Sequence, residues 1–266
     1  MSHPSPVGRW AARVDAGIVC EAWKWPAMTQ QIRCTAEQLL WLLKTQTFFG
    51  GLPDTALTAL IRSGHTRKYE KGAVIFRRGD RADRLMVLIS GRIKISNFSA
   101  DAKEVVLNFL EVGDINGEIA VLDGKLRSAN ASALEGCEVF VILARDLMPV
   151  LTAHPQAMLE IMQLLCQRLR ALSAMVEDGT LAMRGRVAKG LLRLAEQHGR
   201  TSKGGIRLQL TLSQSDLGKY LSLSRENVSR QLRALKDAGV VRMEGARVVI
   251  TDETALATIA ECGSTN

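Results

Sequence analysis

The 266-residue sequence contains no run of apolar residues near the roughly 20 that a bilayer-crossing helix needs. Its N-terminus also lacks the charged start, apolar centre and small-residue cleavage site of a secretory leader. Both absences point to a cytoplasmic protein with no membrane partner. Cysteine is sparse. The five residues Cys20, Cys34, Cys137, Cys166 and Cys262 are too scattered for a disulfide framework or a zinc site, so a reduced, intracellular chain is the simpler reading. The four histidines, His3, His65, His154 and His198, fall in loops or near helix ends without acidic or thiol partners at a suggestive spacing. No GxSxG, HExxH or phosphate-loop pattern occurs. These gaps argue against an enzyme, and no cofactor or metal is expected. Acidic residues are also in deficit, with 27 against 35 Lys and Arg and a net charge of +8, which favours an anionic partner.

What is present divides the chain in order. Residues 1–27 carry Trp10, Trp23 and Trp25 among small and polar residues with no periodicity, the pattern of a flexible tail. The residue Met28 is an alternative start. Thr35 with Gln38 makes a capping box before Leu39, Leu40, Leu42 and Leu43, so a helix begins there. A second should run from Pro53 to Arg62. From His65 to Ala144 the pattern becomes short β-rich runs: Val74 to Phe76, Leu85 to Ile89, Ile93 to Asn97, Val105 to Leu110 and Val139 to Leu143. Glycine turns separate them, which suggests a compact antiparallel barrel or jelly roll.

After a helical stretch at Arg145 to Thr152, a long helix is expected over Gln156 to Asp178. Its Met158, Met162, Leu165, Leu169, Leu172 and Val176 recur at alternating spacings of four and three, a heptad seam. Such a seam either joins two chains or packs on its own barrel. Gly179 ends the helix and reads as a hinge.

The stretch from Asn116 to Ala133, NGEIAVLDGKLRSANASA, has the chemistry of an anion pocket. Gly117 lets backbone amides approach a ligand closely. Arg127 offers a planar fork to phosphate oxygens, and Ser128 adds a hydroxyl beside it. Glu118, opening the apolar run Ile119 to Leu122, can only accept and so suits a ribose hydroxyl. A sugar phosphate satisfies all three. The competing reading is a surface hairpin whose charges face water.

Beyond a helix at Val187 to His198 and a strand at Ile206 to Leu210, the segment Ser213 to Ala238 has helix-turn-helix character. Its first helix is Gln214 to Tyr220, its turn Leu221-Ser222-Leu223, and its second helix has Ser224 as N-cap. On a helical wheel Val228, Leu232 and Leu235 fall on one side. Glu226, Ser229, Arg230 and Arg233 share the other, with Arg225 on the flank. Between Arg200 and Ile250 ten basic side chains meet four acidic ones, +6 of the chain's +8, which suits phosphate-backbone contact. Glu226 and Arg230 could simply form a surface ion pair. Alternatively Arg225 and Arg230 can each offer two donors to guanine, and Glu226 can accept from cytosine. Val240 to Ile250 closes the region as a β-hairpin wing.

The ordered set Gly-Glu, apolar run, turn and Arg-Ser-Ala resembles the phosphate-binding cassette of cyclic-nucleotide-binding domains, and Ser-Arg-Glu-Asn-Val-Ser-Arg (Ser224 to Arg230) resembles the recognition helix of the catabolite activator. The resemblance to this family of bacterial regulators, CRP/FNR, extends from about Leu43 to about Ile250. It implies an α+β fold with a β jelly-roll cyclic-nucleotide-binding domain, a long dimerisation helix and a winged helix-turn-helix domain. The implied boundaries are residues 1–27 tail, 28–155 nucleotide domain, 156–179 helix and hinge, 180–258 DNA-binding domain and 259–266 tail.

The resemblance also implies an effector, cAMP or cGMP, held by Gly117, Glu118, Ile119, Arg127, Ser128 and Ser173, with Arg168 neutralising Glu118. Arg225, Glu226 and Arg230 would read bases, supported by Ser224 and Ser229, while Ser213 and Gln214 fix the phosphate backbone. Partners would be operator DNA, the nucleotide, a second copy of the chain and RNA polymerase. Two departures stand out: the family's Thr-Ser pair on the long helix is Leu172-Ser173 here, and Asn116 replaces the usual apolar residue before Gly-Glu. Cys20 and Cys34 are too far apart and too few for the iron–sulfur sensing of the FNR branch. A regulatory subunit without DNA binding is disfavoured by the C-terminal region.

Overall fold

The computed structural model describes residues 34–262 apart from 47, 203 and 246, so the expected tail, residues 1–27, lies outside the described residues. Helix α1 (Ala36–Gln46) starts on the reciprocal cap that the sequence predicts. The Gln38 amide donates to Thr35 Oγ1 at 3.2 Å and the Thr35 amide to Gln38 Oε1 at 2.9 Å, satisfying two donors that the helix cannot. A short 3-10 turn (Phe48–Gly51) leads to α2 (Asp54–Ser63).

Eight strands and one short helix follow: β1 (His65–Tyr69), β2 (Val74–Phe76), β3 (Arg84–Ser90), β4 (Ile93–Phe98), β5 (Glu104–Leu110), β6 (Ile115–Asn116), α3 (Glu118–Asp123), β7 (Asn130–Ala133) and β8 (Cys137–Leu143). They form two four-stranded sheets in the orders β1-β8-β3-β6 and β2-β7-β4-β5, antiparallel throughout. Strands β3 and β8 are buried on both faces, which is why their sequences run apolar without alternating. Leu85, Val87 and Ile89 of β3 join Phe140 and Ile142 of β8 beneath α1 and α2. Met86, Leu88, Val139 and Val141 face the second sheet instead. Each such side chain is worth about 1.5–3 kcal/mol. The apolar runs of the sequence miss β1, whose His65-Thr66-Arg67-Lys68 is exposed and which is defined by its pairing with β8.

Helices α4 (Ala144–Ala153) and α5 (Pro155–Asp178) follow. The heptad stripe on α5 divides between both readings. Met158 and Leu165 pack against the roll's own core. The exposed apolar side chains are Leu159, Met162, Leu169, Leu172 and Val176, and Cys166 and Ser173 are exposed with them. The outward face therefore carries Leu159, Met162, Cys166, Leu169, Leu172, Ser173 and Val176, and of the stripe read from sequence only Met158 and Leu165 turn inward to the roll. The helix ends at Gly179 as expected, with φ −56° and ψ −26° in the right-handed region. The corner is held from the other side, by α6 (Met183–His198). The buried Asp178 pairs with Arg193 and, at 3.3 Å, with Lys189, and Arg186 donates to the carbonyls of Gly179 and Leu181.

Helix α6 begins four residues before the expected Val187. It is followed by β9 (Gly199–Ser202), β10 (Gly205–Leu208), α7 (Gln214–Leu221), α8 (Arg225–Asp237), β11 (Val241–Glu244), β12 (Arg247–Ile250) and α9 (Glu253–Cys262). The sheet order is β11-β12-β10-β9. Residues 259–262, expected to be tail, are helix, because Leu256 and Ala260 are buried in the same core as Leu191, Leu194 and Leu235. Val106 and Phe109 of β5 join this core, so the roll and the C-terminal domain share apolar packing.

Candidate functional site

The pocket stretch folds as β6, a glycine corner, α3 and the loop into β7. Gly117 takes φ 92° as it turns into α3, a conformation glycine adopts without strain. Arg127 is 4% exposed. It donates to Gly117 O at 3.2 Å and to Arg84 O at 2.8 Å, and its guanidinium lies 4.4 Å from the centre of the Phe76 ring. Its Nε is buried and has no hydrogen-bond partner among the described residues. Burial, with Arg84 alongside, pushes the guanidinium pKa below its ordinary value despite Asp83, Glu118 and Asp80 nearby. A cation so desolvated gains from an anion brought beside it.

Glu118 is 1% exposed. One carboxylate oxygen pairs with Arg168 of α5, which also donates to Ile115 O at 2.7 Å. The other, Oε2, is buried and has no partner among the described residues. A buried acceptor without a donor is costly, so the pair offers a free acceptor on Glu118 and a free donor on Arg127 within one shell of contacts. That is the polarity a sugar phosphate requires.

Gly117, Glu118, Arg127 and Arg168 are thus brought together. Ser128 is exposed beside Arg127, and its carbonyl accepts from Asn97 Nδ2 at 3.1 Å. Ile119 turns its side chain to solvent at 42% exposure, so what it can offer a ligand is its amide. Ser173 is exposed on α5, on the outward face. The structure adds Phe76, Arg84 and Asn97, which the sequence reading missed. They come from strands far along the chain, and only strand register brings them near Arg127.

In the C-terminal domain α7 and α8 form the helix-turn-helix. Gly218 closes the turn because a Cβ there would meet Leu223 O at 2.7 Å, and Ser222 takes φ 54°. Val228, Leu232 and Leu235 are buried while Arg225, Glu226, Arg230 and Arg233 are exposed, so the wheel separates core from free face as expected. Ser229 is partly buried between them, and Gln214 is exposed. Arg230 donates to Asn227 Oδ1 at 3.0 Å rather than forming the ion pair weighed with Glu226. Ser224 caps α8 by accepting from the Asn227 amide at 3.2 Å. Ser213 caps α7 and donates to Asp216 at 2.6 Å. Ser213 thus spends its one O–H donor on Asp216, whereas Ser224 only accepts in its cap.

A further cluster ties α7 to the roll. Glu104 of β5 pairs with Lys94 of β4 and Lys219 of α7, each at 2.8 Å, and accepts from Ser96 Oγ at 2.8 Å. Burial alone would raise its pKa, but the hydrogen bonds from Lys219, Lys94 and Ser96 outweigh it and hold the carboxyl at about 2. Phe109 of β5 and Tyr220 of α7 meet in a tilted contact with ring centres 5.6 Å apart, and His198 Nδ1 lies 3.3 Å from Glu111 Oε2. Among the described residues no helix is long and apolar enough to cross a membrane, and no group of His, Cys, Asp or Glu could hold a metal ion.

Residues 66–154 match the cyclic nucleotide-binding domain family and residues 185–259 the Crp-like helix-turn-helix domain family. The chain is similar to a CRP-like cAMP-activated global transcriptional regulator of Mycobacterium tuberculosis, 29% identical over 218 residues, covering 81% of this chain and 97% of that one. It is similar to the cAMP-activated global transcriptional regulator CRP of Salmonella typhimurium at 28% over 200 residues, 74% of this chain and 94% of that protein. Its fold is shared with FixK2 of Bradyrhizobium japonicum, with a TM-score of 0.66 at 21% identity over 74% of this chain and 96% of the other. It is shared too with the c-di-GMP responsive global regulator CLP of Xanthomonas campestris, with a TM-score of 0.62 at 24% identity over 74% and 99%. With a nucleotide-binding roll and a helix-turn-helix on one chain, and these relatives along most of its length, the protein belongs to the CRP/FNR family of transcription regulators.

Proposed function

We propose that the protein is a cytoplasmic, dimeric transcription regulator whose affinity for operator DNA is switched by cAMP or cGMP. The observation that carries this is the buried Glu118–Arg127 shell, with a free carboxylate oxygen on one side and a free guanidinium N–H on the other. Arg127, with Ser128 and the amides of Glu118 and Ile119, grips the cyclic phosphate, and Glu118 takes a ribose hydroxyl. Both charged groups are nearly fully buried, so the loop between α3 and β7 must open to admit the nucleotide.

Arg168 gives the signal a route. It is bonded to Glu118 and rides on α5, so a ligand that engages Glu118 changes what holds α5 to the roll. The outward face of α5 pairs with that of a second copy, and Ser173, exposed on it, contributes to reading the base. A nucleotide that binds one arrangement of the dimer more tightly shifts the population toward it. Arg225, Glu226 and Arg230 then read bases in successive major grooves about one helical turn apart, supported by Ser224 and Ser229, with Ser213 and Gln214 at the phosphate backbone. RNA polymerase is the downstream partner.

A second reading keeps the DNA-binding regulator and changes the effector, or removes the need for one. It is favoured by Leu172, an exposed apolar side chain that can make no hydrogen bond to a base. Calorimetry with cAMP, cGMP and cyclic di-GMP on the wild type and on Arg127→Leu separates the readings. The expected result is binding of cAMP or cGMP that the variant loses. Equal affinity in both proteins would remove Arg127 from the site. DNA affinity unchanged by millimolar cyclic nucleotide would remove the switch.

A further inference from the structure

We infer that Asn97 is a hydrogen-bond acceptor for the base of the bound nucleotide, so that the effector is a cyclic nucleotide carrying an exocyclic amino group. This rests on the nucleotide reading of the Glu118–Arg127 site and deepens it by naming the group that reads the base. Asn97 lies on β4, and the irregularity between β4 and β5 falls on β5. Ile95 pairs with Asn108 and Ser96 with Val106, which leaves Leu107 as the extra residue. Side chains of β4 therefore alternate without interruption. Lys94 and Ser96 point outward to Glu104. Ile93 and Ile95 point inward to the cluster that contains Phe76, and the Phe76 ring underlies the Arg127 guanidinium. Asn97 falls on that inward side, at the Ser128 end of the strand.

Its amide orientation is fixed by its neighbour. The Ser128 carbonyl can only accept, so the group bonded to it at 3.1 Å is Nδ2, and the other arm is the oxygen. That oxygen, Oδ1, is buried and has no partner among the described residues. A buried acceptor without a donor carries its whole desolvation cost until a ligand supplies one. The phosphate that Arg127 holds has no hydrogens at neutral pH, and Glu118 already takes a ribose hydroxyl. The donor left on a cyclic nucleotide is on its base: in adenine the exocyclic amino group alone, in guanine that group and the ring N1–H. Cyclic IMP retains the N1–H, so its comparison with cGMP isolates the amino group.

The test compares each nucleotide with its counterpart lacking the amino group: cAMP with cyclic purine riboside monophosphate, and cGMP with cyclic IMP. Calorimetry is run on the full-length wild type, Asn97→Ala and Asn97→Leu, with thermal melts to identify a variant that fails to fold. The wild type should favour the amino-bearing nucleotide about tenfold, roughly one buried hydrogen bond. Both variants should lose that preference while binding the amino-free counterpart within about threefold of wild type. If the variants keep the preference, or weaken both members of a pair equally, Asn97 merely props the Ser128 loop and the inference is wrong. A wild type that binds none of the four would sink the nucleotide reading itself, a different failure.

Discussion

Gly117 holds φ at 92°, and a Cβ built on it would meet Arg127 Nη1 at 2.0 Å and Arg84 O at 3.0 Å. The first clash can be relieved by moving the arginine, the second only by moving backbone. Gly117→Ala should therefore lose stability by about 1–2 kcal/mol from the left-handed backbone and displace the guanidinium from its place over Phe76. Denaturant melts measure the first effect. Nucleotide affinity should fall well beyond what the stability loss explains, and an alanine variant that binds as well as wild type would show that Arg127 need not sit against Gly117. At this scale the sequence was informative where a site is built from neighbours. Gly117, Glu118, Arg127 and Ser128 lie within one short stretch and could be read together. Arg84 bonds Arg127 from 43 residues away, and Phe76 and Asn97 arrive through strand pairing, so no local pattern announces them.

At the scale of elements, periodicity located the long helix well and its outward face imperfectly. A stripe of apolar residues shows that a helix has a buried side, but α5 has two: Met158 and Leu165 serve the roll, while Met162, Leu169 and Val176 face outward. Sequence spacing alone cannot tell which neighbour takes which residue. The distinction is testable with two substitutions four residues apart. Leu165→Glu puts a charge into the roll's core and should lower the melting temperature steeply. Leu169→Glu, at a position 64% exposed, should leave the melting of the monomer near wild type and abolish the dimer in sedimentation or light scattering. In the proposed parallel dimer Cys166, exposed on the same face, would meet its counterpart, so copper–phenanthroline should cross-link the wild type and not Cys166→Ser. Loss of stability in Leu169→Glu with the dimer intact would reverse the assignment of faces.

For the molecule as a whole, the roll and the helix-turn-helix domain were each legible, because each is a periodic pattern closed by turns. Their contact was not: Glu104 and Lys219 are ordinary surface charges until folding places them 2.8 Å apart. Lys219 rides on α7, the helix that crosses the DNA backbone in such motifs, and a lysine neutralised by Glu104 cannot also neutralise a phosphate. The clasp should therefore oppose DNA binding. Glu104→Gln is expected to raise nucleotide-free DNA affinity severalfold and to steepen its salt dependence by about one phosphate contact. With Lys219→Gln already in place, the same change should do nothing.

The acid side gives an independent check. The Glu104 carboxyl is held at about 2 against an ordinary 4.5. A depressed carboxylate contributes stability that is complete above its unfolded pKa and is lost as pH falls through its folded one. The stability of wild type relative to Glu104→Gln should thus shrink between pH 4.5 and 2, a window set by those two values. Fluorescence-monitored urea melts across that range measure it. If the gap between the two proteins stays constant while DNA affinity still rises in Glu104→Gln, the change acts through long-range charge and the contact with Lys219 is not what restrains the domain.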